Sequence, residues 1–215
     1  MNSVALSYTL PFMYTKILLA DDHSMIRKGV KLLCEAQLGF SDVQTVTSCS
    51  ELMKELAQKK YTHLVLDINL SDGSSLEVLP NIRSLYPYLQ ISILSMQPAA
   101  IYARTLKQQY GISLFISKAA PEEDTIRLLR QFFQNEQPAR DPAGMEQSNN
   151  PFSDFTLREL EILHYMLKGI GTNEIAKALN LKWNTISTVK NRIFEKTTTT
   201  NLIELKELAT LYKVS

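Results

Sequence analysis

The chain has 215 residues, 45% of them apolar and 21% charged, and a formal net charge of +1. This globular balance excludes wholesale disorder, and the length fits one large domain or two of ordinary size. No apolar run approaches the roughly 20 residues that cross a membrane as a helix, so no membrane partner is expected.

Residues 1–14 are mildly apolar, but they carry no basic residue ahead of Lys16 and are broken by Tyr8, Thr9 and Pro11. They make a poor signal peptide, and we take them as an N-terminal extension, with Met1 and Met13 both open as starts. A cytoplasmic location is expected, in keeping with two scattered cysteines, Cys34 and Cys49, that form no CxxC or Cys/His cluster.

Residues 15–134 alternate short apolar runs with longer helical patterns. The runs are Lys16–Ala20, Val43–Thr47, His63–Leu66, Ile91–Ser95 and Ser113–Ile116. Between them, apolar residues recur three and four apart: Met25, Val30 and Leu33; Leu52 and Leu56; Leu76, Leu79 and Ile82; and finally Ile126, Leu129 and Phe133. Five strands, each followed by a helix, predict an α/β doubly wound parallel five-stranded sheet with helices on both faces. Such sheets bind ligands at the carboxyl ends of their strands.

Residues 135–151, rich in Pro, Gly, Asn and Gln, read as a linker. Residues 152–215 then hold four helical patterns and no β-like run, at Thr156–Lys168, Thr172–Leu179, Asn184–Lys196 and Leu202–Tyr212. They predict a small all-α four-helix domain. From Pro151 onward there are nine basic and seven acidic residues, and within 182–196 Lys182, Lys190, Arg192 and Lys196 face Glu195 alone. A local basic strip of this kind suits DNA.

The strand ends carry the chemistry. Asp21 and Asp22 follow the first run and Asp67 follows the third, so three carboxylates converge where a doubly wound sheet places neighbouring strands. Like charges so close call for a cation, and oxygen ligands with room for water suit Mg²⁺. Ser95 and Lys118 stand at the ends of the fourth and fifth strands, where both can meet a phosphoryl group. Each residue also has a plainer reading: Asp22 as the cap of a helix beginning near His23, Lys118 as a solvated charge, Phe115 as ordinary core. His23, His63 and His164 show no metal-ligand spacing and receive no role.

The stretches KILLADDHSMIRKGV, LVLDINLSDGSSLEVL, ISILS and FISK resemble the receiver domains of two-component response regulators. The resemblance implies that Asp67 is the phosphoacceptor. It further implies that Asp22, Asp67 and the Asn69 backbone carbonyl hold Mg²⁺, with Asp21 assisting through water. Ser95 and Phe115 take the switch positions, and Lys118 contacts the phosphoryl oxygens. Ser71 and Ser75 depart from the family's usual Pro and Gly, so the loop after Asp67 is expected to differ in shape, and Ala119 follows Lys118 where receivers of other subfamilies place a Pro.

The segment FTLRELEILHYMLKGIGTNEIAKALNLKWNTISTVKNRIFEK is similar to the LuxR-type (NarL/FixJ) helix-turn-helix domain. Its recognition helix turns Ile186, Val189, Ile193 and Phe194 inward and Thr185, Ser187, Thr188, Lys190, Asn191 and Arg192 outward, as donors for phosphates and base edges. Lys182 and Lys196 join this DNA-binding set. Lys182 stands where Ser or Thr caps the family's helix, and the tract Thr197–Thr200 should end it. By the same resemblance Leu202, Leu205 and Leu208 contribute to dimerisation. The expected protein is a non-enzymatic transcription regulator, phosphorylated by a sensor histidine kinase, dimeric, and bound to double-stranded DNA. Its receiver is expected to mask the recognition helix before phosphorylation. A receiver serving only as a phosphate-independent dimerisation or docking module is the alternative. An Asp-nucleophile phosphohydrolase would need a carboxylate where Asn69 stands.

Overall fold

The computed structural model describes residues 15–134 and 150–214. The expected extension over 1–14 and the expected linker up to residue 149 lie outside the described residues.

The first half contains strands β1 (Ile17–Ala20), β2 (Val43–Val46), β3 (His63–Leu66), β4 (Asn69–Leu70), β5 (Gly73–Ser74), β6 (Gln90–Ser95) and β7 (Phe115–Ser117). Helices α1 (Ser24–Leu33), α2 (Cys49–Gln58), α3 (Leu79–Leu85), α4 (Ala99–Tyr110) and α5 (Glu122–Phe133) are interleaved with them, and a π-helical turn over Cys34–Leu38 prolongs α1. Five strands form one parallel sheet in the order β2-β1-β3-β6-β7. Every residue of β1 and β3 is buried, because helices cover both faces and leave no polar side for alternation. On one face Ile17, Leu19, Val65 and Ile116 pack with Val30, Leu129 and Phe133. On the other, Leu18, Leu64, Leu66 and Ile93 pack with Leu52, Ile82 and Leu106.

The sequence runs predicted the sheet, with one shift and one omission. The last strand lies at Phe115–Ser117, two residues later at its start than the apolar run Ser113–Ile116 suggested. A small antiparallel hairpin, β4–β5, fills the loop after Asp67. Its turn uses Gly73 at φ 145° and is anchored by Asp72, whose carboxylate accepts from Cys49 N (2.6 Å), Ser50 N (3.0 Å) and Ser50 Oγ (2.7 Å) at the start of α2.

The second half is helical: α6 (Leu157–Leu167), α7 (Thr172–Ala178), α8 (Trp183–Thr197) and α9 (Leu202–Leu211). Thr156 and Glu159 form a reciprocal capping box on α6. Helix α8 lacks a side-chain cap at Lys182 and stops at Thr198, which is left-handed at φ 55°. Ile175, Ile186, Ile193 and Leu205 close a core that runs on into the second face of the sheet.

The two halves touch. Helix α4 packs on α6, with Tyr102 fully buried, and Thr105 Oγ1 donates to Phe155 O at 3.5 Å. Arg158 of α6 pairs with Glu77, just before α3, and with Glu161 one turn further along at 2.7 Å. A polar cleft of about 460 Å³ separates the β4–β5 hairpin from Tyr165 and Lys177–Asn180.

Candidate functional site

The acidic pocket follows from strand register. Ala20 of β1 lies opposite Leu66 of β3, so the next residues, Asp21 and Asp67, leave the sheet side by side. Asp67 N donates to Ala20 O at 2.8 Å, and Asp21 N donates to Val46 O at 3.1 Å. Ser95 ends β6 opposite Ser117 of β7, and Lys118 N donates to Ser95 O at 3.0 Å. The four side chains the sequence placed on strand ends therefore meet.

The Lys118 ammonium bridges the pocket, 2.5 Å from Asp67 Oδ2 and 2.7 Å from Asp21 Oδ2. Ser95 Oγ donates to Asp67 Oδ1 at 2.7 Å. Ser75 Oγ donates to the Asp67 backbone carbonyl at 2.7 Å, so a hydroxyl holds the backbone at one of the positions that depart from the family pattern. Asp21 and Asp67 are buried, whereas Asp22 is exposed. Burial pushes the Asp67 carboxyl above its ordinary range, against the opposing pull of Lys118 and Ser95.

His23, to which no role was assigned, belongs to this cluster. Its Nδ1 lies 2.6 Å from Asp22 Oδ1 and 3.3 Å from Asp21 Oδ1. Ligand atoms of Asp21, Asp22, His23 and Asp67 all lie within 4.8 Å of one another. The plainer reading of Asp22 as a helix cap does not hold: His23 takes the N-cap position of α1, and its N–H is accepted by Asp21 Oδ1 at 2.8 Å. Three carboxylates face one buried ammonium, so the charge and the oxygen donors fit a divalent cation such as Mg²⁺. Asn69 opens β4, and Phe115 is partly buried against the larger core at the start of β7. Both cysteines are free, and burial pushes each thiol up to about 12.

The second candidate surface is α8. Ile186, Val189 and Ile193 are buried as expected, and Phe194 is partly so. Lys182, Thr185, Thr188, Asn191 and Arg192 are exposed, and Ser187 and Lys190 half-buried. Lys190 Nζ donates to Thr172 Oγ1 at 2.9 Å. Lys196 is occupied within the chain, donating to Glu159 Oε2 at 2.7 Å and Asp154 O at 3.1 Å; it locks the last turn of α8 to the capping box of α6. On α9, Leu205 is fully buried, so it packs the core and offers no surface to a second copy. Leu202 and Leu208 are half-buried, and Ile203 and Leu211 are the exposed apolar residues. The expected masking of the recognition helix is not seen. The α/β half grips α6, and the polar face of α8 stays open.

Comparison with known proteins bears on both surfaces. Residues 17–130 match the model described as the response regulator receiver domain, and residues 153–209 the model described as bacterial regulatory proteins, luxR family. The chain is 30% identical over 205 residues to the virulence factors putative positive transcription regulator BvgA of Bordetella pertussis, covering 92% of this chain and 97% of that protein. It is 28% identical over 209 residues to the oxygen regulatory protein NreC of Staphylococcus carnosus, with 90% and 96% covered. The fold resembles RcsB of Salmonella enterica serovar Typhimurium, solved on the promoter rprA with the phosphomimetic BeF3-. The TM-score is 0.63 at 22% identity, over 91% of this chain and 98% of that one.

Proposed function

The chain belongs to the response regulators that join a receiver domain to a LuxR-type DNA-binding domain, and on that premise we propose that it is switched by phosphorylation of Asp67. It is a DNA-binding transcriptional regulator of the two-component type, and its upstream partner is a sensor histidine kinase. The observation that carries the proposal is the buried Asp67 carboxylate held between Lys118 and Ser95 at the ends of adjacent strands.

In the reaction an Asp67 oxygen attacks the phosphorus of a phosphohistidine in line. The new P–O bond forms as the P–N bond breaks, and the imidazole leaves with the electron pair. Lys118 then stabilises charge on the phosphoryl oxygens, and Ser95 is within reach to donate to one of them. Asp22, Asp67 and the Asn69 carbonyl would hold Mg²⁺, with Asp21 assisting through water, and the ion supplies charge neutralisation. Movement of Ser95 toward the phosphoryl group, with Phe115 turning inward, biases the receiver between two states. The outward residues of α8 read DNA, and the exposed Ile203 and Leu211 of α9 support pairing with a second copy on it.

Intact mass after incubation with acetyl phosphate and Mg²⁺ tests the proposal. One phosphoryl adduct is expected on the wild type, and none on Asp67→Ala or without the metal. No adduct even from a phosphorylated histidine kinase would refute it and leave a regulator indifferent to phosphorylation.

A further inference from the structure

Trp183 is the chain's sole tryptophan and the first residue of α8. It is 52% exposed. Tryptophan is enriched at contact surfaces, where a half-exposed indole offers a large apolar face together with a polar N–H. Its surroundings say which kind. Lys182, Asn184 and Thr185 are exposed beside it, and Arg192 is exposed further along the same helix. The first turn of α8 contains no acidic residue and Lys182 provides no side-chain cap, so the positive end of the helix is open to a phosphate. The aromatic surface is thus continuous with a basic, hydroxyl-bearing face, a composition suited to duplex DNA rather than to an apolar protein partner.

We propose that Trp183 is a DNA-contacting, specificity-determining residue of this interface, laying its indole against apolar surface of the duplex at the mouth of the major groove. That surface is a thymine 5-methyl group or the face of a deoxyribose. The proposal rests on the reading of α8 as the recognition helix. The N-terminal residues of such a helix are the ones that reach base edges, and a thymine methyl is the apolar feature of the groove. Trp183 thereby adds an apolar contact to an interface whose other members donate hydrogen bonds.

Because the tryptophan is unique, its emission reports on this contact alone. A duplex selected from a random library with the full-length protein serves as the probe. Titration should shift or quench the indole emission at the same midpoint as binding measured by anisotropy of labelled DNA. Trp183→Ala should weaken affinity about tenfold, and Trp183→Phe should retain most of it. Replacing thymine by deoxyuridine separates the two sources: a loss matching that of Trp183→Ala assigns the methyl group, and unchanged affinity assigns the sugar. Unaltered emission with wild-type affinity for Trp183→Ala, while Thr185→Ala and Arg192→Ala bind weakly, would overturn the inference alone. Wild-type affinity for all three variants would overturn it together with the reading of α8.

Discussion

Replacing Arg158 by Ala should destabilise the protein through a residue it leaves behind. Glu161 is buried, with its Oε2 2.7 Å from Arg158 Nη1. Burial already pushes this carboxyl above its ordinary range, against the opposing pull of the Ser74 hydroxyl and Arg158. Removing one partner of a buried pair costs about 3–5 kcal/mol. Arg158 keeps 27% of its side chain exposed, and the stranded carboxyl can take up a proton, so we expect about 2–3 kcal/mol at pH 7. The sign with pH follows from linkage. With the folded-state value raised above the unfolded one, the folded protein holds the extra proton, and stability falls as pH rises through that window. The deficit of Arg158→Ala should therefore shrink between pH 7 and pH 5. Arg158→Ala with Glu161→Gln should regain most of the loss, because no charge is left stranded. Glu77→Ala should cost below about 1 kcal/mol, since that carboxylate is 47% exposed. Urea denaturation followed by circular dichroism at both pH values measures each term. A double variant no more stable than Arg158→Ala would refute the reasoning.

His164 is buried, and desolvation, aided by Lys168, lowers its imidazole to about 4. The unfolded chain binds its proton first, so acidification from pH 6.5 to 4 should remove up to about 3 kcal/mol of stability. His164→Leu should flatten that slope in a pH series of urea midpoints. Thr198→Gly should raise the melting temperature, relieving a β-branched residue at φ 55° for about 1 kcal/mol. Lys196→Met should lower stability by about 1 kcal/mol through loss of its bonds to Glu159 and Asp154, yet weaken DNA less than Arg192→Ala in the same anisotropy assay.

The strand-end site was legible because each of its members ends an apolar run or follows one within two residues, and a doubly wound sheet fixes which ends are neighbours. The placement of Asp21, Asp67, Ser95 and Lys118 needed no more than this, whereas their roles rested on the resemblance to receiver domains. His23 was missed because metal-ligand spacing is a test for helices and knuckles, whereas here a loop folds the imidazole back onto the two residues before it. The β4–β5 hairpin has two residues per strand, too few for any periodicity to register. Lys196 reads as part of a basic strip because its partner Glu159 lies 37 residues away. The leucine stripe of α9 shows that one side of the helix is apolar. Which residue meets the core is decided by the angle at which α9 crosses its neighbours, and this puts Leu205 inside and Leu211 outside.

The grip of α4 on α6 has a consequence for dosage. The two surfaces belong to one chain, joined through residues 135–149, so their association answers to an effective concentration of order millimolar, whatever the copy number of the protein. A contact with an intrinsic dissociation constant near ~10 µM would then be closed in about 99% of molecules, and a roughly hundredfold weakening would open about half. That weakening is about 2.7 kcal/mol, more than the cross-half pair of Arg158 with the half-exposed Glu77 supplies by itself. Loosening of the hairpin and of the Arg158 contacts together would thus act as a graded dial on how the halves are held, with a setting independent of expression level.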